Sequence, residues 1–239
     1  AGHDTTTAVW QRGQLPERTV RGWLDGLDVV YTAESDYDPR LAGWCAHAGC
    51  ALVRHVNPEQ LADDEVEAGA GTVWWAPTTW RLDQLPAGTR VVPMPGMIWR
   101  YPTRRDGAVR RYLHPIGHYA AEDRAGSKIL SRAIQLVRHP CELVVRTQDR
   151  RTETAFRLPG QVAVEMRAGG LTDRWQQYEG CDVLVLPRRY GGLCLPTIEA
   201  AACGLAVVMT DCPPNETWPG PKVPVARRRE VVMRCGPVE

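Results

Sequence analysis

Apolar stretches bounded by glycine and proline recur along the chain, and between them lie segments whose apolar residues repeat at helical spacing. In the first half, residues 27–33 (Leu-Asp-Val-Val-Tyr-Thr-Ala) predict a buried strand, 39–48 a helix ended by Gly49, and 51–56 the next strand. Residues 71–77 predict a third strand and 90–93 a fourth. Strand, helix and strand in such short order imply parallel pairing through a right-handed crossover. The second half continues the alternation, with strands at 112–118, 142–147 and 161–166 and helices at 126–138 and 172–179. Such alternation predicts doubly wound α/β sheets, which take ligands at the carboxyl ends of their strands.

Residues 93–107 contain three prolines and two glycines and read as a linker. Two domains are expected on either side of it, residues 1–98 and 99–239.

The clearest unit is the run from Asp182 to Asp211. An apolar strand (Val183 to Leu186) enters a Gly-Gly turn, a helix opens at Pro196 and stops at Gly204, and a second apolar strand (Ala206 to Met209) follows. Proline at the first helical position and glycine past the last are fitting punctuation for a short helix. Glu199 is then expected in the first turn, near backbone N–H groups, behind a turn flexible enough for a ligand to touch its backbone. That arrangement suits a phosphorylated ligand.

At these residues the chain resembles the family four retaining nucleotide-sugar glycosyltransferases, whose signature reads roughly P-S-x-x-E-G-F-G-L-P-x-x-E-A-M-A-x-G-x-P-V-V. Pro187, Gly192, Leu195, Pro196, Glu199, Ala200, Ala202, Gly204, Val207 and Val208 match it in register. The resemblance implies a GT-B fold of two Rossmann-like doubly wound domains facing a cleft, with an N-terminal acceptor-side domain and a C-terminal donor-binding domain. It implies a hexosyltransferase that uses a nucleotide diphosphate sugar and retains the anomeric configuration. Glu199 would hold the donor ribose. The family's first Glu falls on Gly191 and Cys194 replaces a glycine, so sugar contacts would pass to backbone N–H groups of Gly191, Gly192, Leu193 and Leu195. The family's first strand, its Gly-rich acceptor-side turn and its closing helix have no counterpart, which implies a fragment or a shortened relative with an incomplete N-terminal domain.

The family also carries a basic pair after the first strand of its C-terminal domain, where cations hold the donor diphosphate. The corresponding stretch here is 117–128, with His118 in the place of the family's Arg and Arg124 as the best match to its Lys. Arg124 is the leading candidate for stabilising the departing diphosphate, with Lys128 second, since positioned cations act most on developing charge. A solvated loop arginine and a histidine donating to backbone are the plain alternatives. Arg146, with Thr147 and Gln148, closes a strand where nucleotide-facing residues belong, and Arg188 and Arg189 follow the strand before the Gly-Gly turn.

In the first half Glu34, Asp36 and Asp38 gather after a strand. Glu34 and Asp36 are candidates for orienting an acceptor hydroxyl or serving as a base, whereas Asp38 before Pro39 reads as a helix cap. Trp74, Trp75 and Trp80 offer aromatic faces that would suit a sugar, though Trp at a strand end is more often core than platform. No protein nucleophile is implied, because retaining transfer in this fold is described as front-face, with the leaving phosphate helping to deprotonate the acceptor.

Composition narrows little further. A net charge of +1 over 239 residues gives no general argument for nucleic acid, and the pairs Arg104/Arg105 and Arg110/Arg111 and the run Arg227 to Arg229 read first as a solvated surface, with an anionic substrate as the alternative. The resemblance leaves the acceptor open among a glycan, a small molecule and, as a lesser option, DNA. No C-x-x-C pair points to a zinc site, no G-x-G-x-x-G follows an early strand, and neither a metal nor a cofactor beyond the donor substrate is implied. Eight cysteines without zinc spacing, no apolar run of bilayer length and no signal peptide place the expectation in the cytoplasm.

Overall fold

In the computed structural model, residues 16–34, 38–58, 71–93, 107–117, 123–148, 160–189 and 193–226 are described. They fall into two units, one holding the described residues up to 93 and the other those from 107 onward. Most of the expected linker lies outside the described residues.

The first unit is a parallel sheet of β1 (Val29–Glu34), β2 (Ala51–Val56), β3 (Thr72–Ala76) and β4 (Arg90–Val91), in that spatial order. Helices α1 (Glu17–Leu24) and α2 (Leu41–Ala48) pack on it, and Val20, Leu24, Val30, Leu41, Trp44 and Leu52 share one core. Gly49, at φ +77°, ends α2 as expected. The helix proper begins later than Pro39. Arg40, not Asp38, is its N-cap, with no side-chain cap bond; Asp38 sits two residues earlier, its Oδ1 accepting the Arg40 N–H at 3.0 Å and its carbonyl the Leu41 N–H. Trp74 is buried, with the guanidinium carbon of the fully buried Arg54 5.1 Å from its ring centre. The core reading of Trp74 therefore holds.

The second unit is a parallel sheet of β5 (Arg111–Gly117), β6 (Cys141–Thr147), β7 (Val162–Ala168), β8 (Val183–Leu186), β9 (Ala206–Thr210) and β10 (Lys222–Val223). Their spatial order is β10-β9-β8-β5-β6-β7. The direction of winding reverses between β5 and β8, which makes their carboxyl ends the place for a ligand. One face buries Leu143, Val145 and Val162 under α3 (Ser127–Ala133), where Leu130 and the following 3₁₀ turn's Ile134 pack. The other buries Leu113, Val144, Leu184 and Leu186 under α4 (Leu195–Ala202). Each fully buried Leu or Val in these layers is worth about 1.5–3 kcal/mol.

Two expected helices are shorter than the sequence implies. The segment expected at 126–138 begins only after Gly126, whose φ of +76° is not helical, and it tightens into a 3₁₀ turn at Ile134–Leu136. The helix expected at 172–179 is a single 3₁₀ turn, Arg174–Gln177. A capping box between Asp173 and Gln176 starts it, and Gly180 at φ +70° turns the chain into β8 before a second turn can form.

Among the described residues no helix is long and apolar enough to cross a membrane.

Candidate functional site

At the reversal of the second sheet, three contacts fix the entrance to α3. A Cβ placed on Gly126 would meet the Pro187 carbonyl oxygen at 1.8 Å, so only glycine lets the chain pass the end of β8. Behind it the buried His114 of β5 sits 3.1 Å from the Val185 carbonyl through Nδ1 and 2.9 Å from Ser127 Oγ through Nε2. A carbonyl only accepts, so Nδ1 carries the proton and Ser127 donates to Nε2. Burial pushes the His114 pKa down to about 4. The Asp123 carboxylate then accepts the Lys128 N–H at 3.2 and 3.3 Å, covering a donor of the first turn.

These contacts bring four of the predicted cations to the carboxyl ends of the two central strands. The Arg124 carbonyl accepts the N–H of Arg189 at 3.0 Å. Arg188 is buried, its carbonyl accepting Thr210 Oγ1 at 2.7 Å, while Arg189 is exposed. Arg124 is half-buried in the loop and Lys128 is exposed on α3. Arg124, Lys128, Arg188 and Arg189 thus share the carboxyl ends of β5 and β8.

A cavity of about 540 Å³ opens at the carboxyl ends of β5, β6 and β7, and Arg124, Lys128, Arg188 and Arg189 are not among its lining residues. Its floor is the ends of three strands, at Gly117, Thr147 with Gln148, and Gly169. They are laced by the Gln148 N–H to the Gly117 carbonyl (2.9 Å) and the Gly169 N–H to the Thr147 carbonyl (3.0 Å). Arg146, Leu171 and Arg174 line one part of its wall, and Leu195, Pro196 and Glu199 of α4 another.

Helix α4 opens with Cys194 as its N-cap and Pro196 inside its first turn. It closes in a Schellman pattern, in which the Gly204 N–H reaches the Ala201 carbonyl and the Leu205 N–H the Ala200 carbonyl. The helix begins one residue before Pro196, so Glu199 is its fifth residue and lies in the second turn rather than the first. Side-chain bonds hold it instead. Tyr178 donates its hydroxyl to Oε2 at 2.5 Å, and Arg174 donates to Oε1 at 3.2 Å. Burial, and then the neighbouring carboxylate, push the Tyr178 pKa upward.

The cavity therefore gathers Arg146, Leu195 and Glu199 from the candidate residues, while Leu193 is buried beside α4. His118, Gly191, Gly192 and Asp36 lie outside the described residues. Glu34 ends β1 in the first unit. Arg174 and Tyr178 are additions that sequence reasoning missed.

A second, more polar cavity of about 430 Å³ includes Arg111, Arg146 and Arg167 in its lining. Arg111 pairs with Glu142 (2.9 Å) and Glu165 (2.5 Å), and Glu165 also pairs with Arg167 (2.5 Å). Arg111, expected on a solvated surface, is built into this ladder. Arg146 is aligned with Arg167 across β6 and β7, and burial together with that like charge lowers its pKa.

Residues 110–224 match the family model described as glycosyl transferases group 1. Among solved structures, the chain superposes on a lipopolysaccharide outer core galactosyltransferase, WaaB, in its apo form, at a TM-score of 0.60 and 15% identity over 84% of this chain and 62% of that one. It superposes to a similar degree on Alr3699/HepE of Anabaena in complex with UDP (TM-score 0.58, 16% identity) and with UDP and glucose (0.58, 17%), covering 81% of this chain and 62% of each. The chain thus spans about 62% of the length of the structures it resembles. No curated protein sequence matches it. In its second unit the chain is similar to group 1 glycosyl transferases over residues 110–224, and its two parallel α/β units have the GT-B type of fold.

Proposed function

We propose that this chain is part of a glycosyltransferase that moves a hexose from a nucleotide diphosphate sugar to an acceptor hydroxyl with retention at the anomeric carbon. The carrying observation is Glu199, an acceptor carboxylate in a cavity walled by the start of α4 and floored by the ends of β5, β6 and β7. In this reading the ribose hydroxyls bond to Glu199 and the diphosphate lies toward Arg124, Lys128, Arg188 and Arg189. Cations there stabilise the departing diphosphate more than the bound donor, which lowers the barrier. The leaving phosphate assists deprotonation of the acceptor, so no protein nucleophile, metal or further cofactor is required. The first unit takes the acceptor, a glycan or small molecule in preference to DNA, with Glu34 and Asp36 on that side.

Titration calorimetry with UDP, ADP and GDP, followed by anomeric analysis of the product by NMR, tests this. Binding of one nucleotide and a product of unchanged anomeric configuration support the reading. Failure to bind any of the three overturns it. A second reading, a module that binds a nucleotide sugar without transferring it, is favoured by Gly191 standing where related enzymes carry a carboxylate. Binding without product would select it.

A further inference from the structure

We propose that Tyr178 is a positioning residue that sets how Glu199 meets the ribose of a nucleotide, and that Arg174 is a displaceable cover over the same carboxylate. The inference rests on the donor-site reading above. A carboxylate offers two oxygens, and here each has a different kind of partner. Oε2 takes the hydroxyl of Tyr178, a side chain only 2% exposed and packed in the core under α4. Oε1 takes a guanidinium from Arg174, a side chain 63% exposed.

The two bonds differ in permanence. At 2.5 Å the tyrosine bond has the length of a charge-assisted O–H···O⁻ contact. Gln177 donates to the same hydroxyl oxygen at 3.0 Å, so the one proton of Tyr178 is directed at Glu199. The arginine of the other pair is exposed, so that pair is screened by solvent and a ligand displaces it at little cost. Oε2 is therefore permanently committed, the carboxylate is held in one orientation, and Oε1 becomes the edge that two adjacent ribose hydroxyls meet once Arg174 swings away. Preference for ribose over a sugar lacking those hydroxyls then depends on Tyr178, although Tyr178 itself touches no ligand.

The test compares UDP with 2′,3′-dideoxy-UDP by calorimetry on the wild-type chain, Tyr178→Phe and Arg174→Ala. The wild type should prefer UDP, and Tyr178→Phe should shrink that preference about tenfold, equivalent to roughly 1.4 kcal/mol, while affinity for the dideoxy compound stays unchanged. Arg174→Ala should keep the preference. Gln177→Leu, at a residue that also lines the cavity, should move the ratio in the same direction by less while affinity for the dideoxy compound stays unchanged, and serves if Tyr178→Phe melts early. An unchanged ratio in Tyr178→Phe, or equal weakening of both ligands, overturns the positioning role and leaves the nucleotide site standing. A wild-type chain that binds UDP but does not prefer it overturns the assignment of Glu199 to ribose. Absence of binding by either compound to the wild type overturns the donor-site reading, and the proposal falls with it.

Discussion

Gly126 lies so close to Pro187 that a Cβ on it would sit 1.8 Å from the Pro187 carbonyl oxygen and 2.6 Å from its carbonyl carbon. Both partners are main chain at that end, so the clash cannot be relieved by a rotamer change. The loop entering α3, with Arg124 in it, and the loop leaving β8, with Arg188 and Arg189, must move apart for anything larger than glycine. Gly126→Ala should cost at least about 2 kcal/mol, from a left-handed backbone and forced overpacking. A Cβ on Gly43 in α2 would find nothing within 4 Å, and the backbone there is helical, so Gly43→Ala should be neutral or stabilising by up to about 1 kcal/mol. Denaturant midpoints for the two variants check the contrast, and an unshifted midpoint for Gly126→Ala would refute the tight approach.

Glu199 provides the second prediction. Its carboxylate is 15% exposed and faces the cavity with one oxygen committed to Tyr178. Glu199→Ala should weaken nucleoside diphosphate binding by about 1.5–3 kcal/mol, the range for hydrogen bonds to a charged group. Calorimetric titration reads this directly, and equal affinity in the variant would move the ribose elsewhere.

How much of this was legible differs from element to element. The β8–α4–β9 unit could be read because its ends are marked by residues with fixed backbone roles, Pro196 within the first turn and Gly204 at φ +78°. The turn of the helix holding Glu199 could not, because the helix starts from Cys194, a residue with no capping signature. Helix α1 escaped notice for a similar reason. Only Val20 and Leu24 are buried in it, Gly22 interrupts it, and Pro16 makes no side-chain cap. The segment at 172–179 shows helical spacing, but Gly180 ends it after one turn. The Tyr178–Glu199 bond joins residues 21 apart on different elements, and no local pattern encodes such a meeting.

Arg124 provides the third prediction. Its carbonyl is tied to the Arg189 N–H, so the loop that carries it is anchored to the end of β8. If its side chain stabilises the leaving diphosphate, Arg124→Ala should lower kcat/KM by about 10²-fold or more, chiefly through kcat. Steady-state kinetics with a nucleotide sugar that the wild type turns over will decide. An unaltered rate would remove Arg124 from the mechanism.

His114 provides the last. It is fully buried between β5, the Val185 carbonyl and Ser127, and its pKa falls to about 4 from an ordinary value of 6.5 because burial disfavours the charged ring. The folded chain therefore holds fewer protons than the unfolded chain between these two values. Stability from this group is fully present above pH 6.5 and is lost as pH falls toward 4, by roughly 3 kcal/mol in total. His55 in the first unit, also lowered by burial, acts in the same direction. Replacing His114 with Gln, which keeps a donor for the Val185 carbonyl, should lower stability at neutral pH yet flatten this acid dependence for the second unit. Denaturant unfolding followed from pH 7 to pH 4 provides the check. A wild-type profile that stays flat through that window would mean that the ring protonates in place, and that the link from β5 and β8 to α3 is looser than the geometry describes.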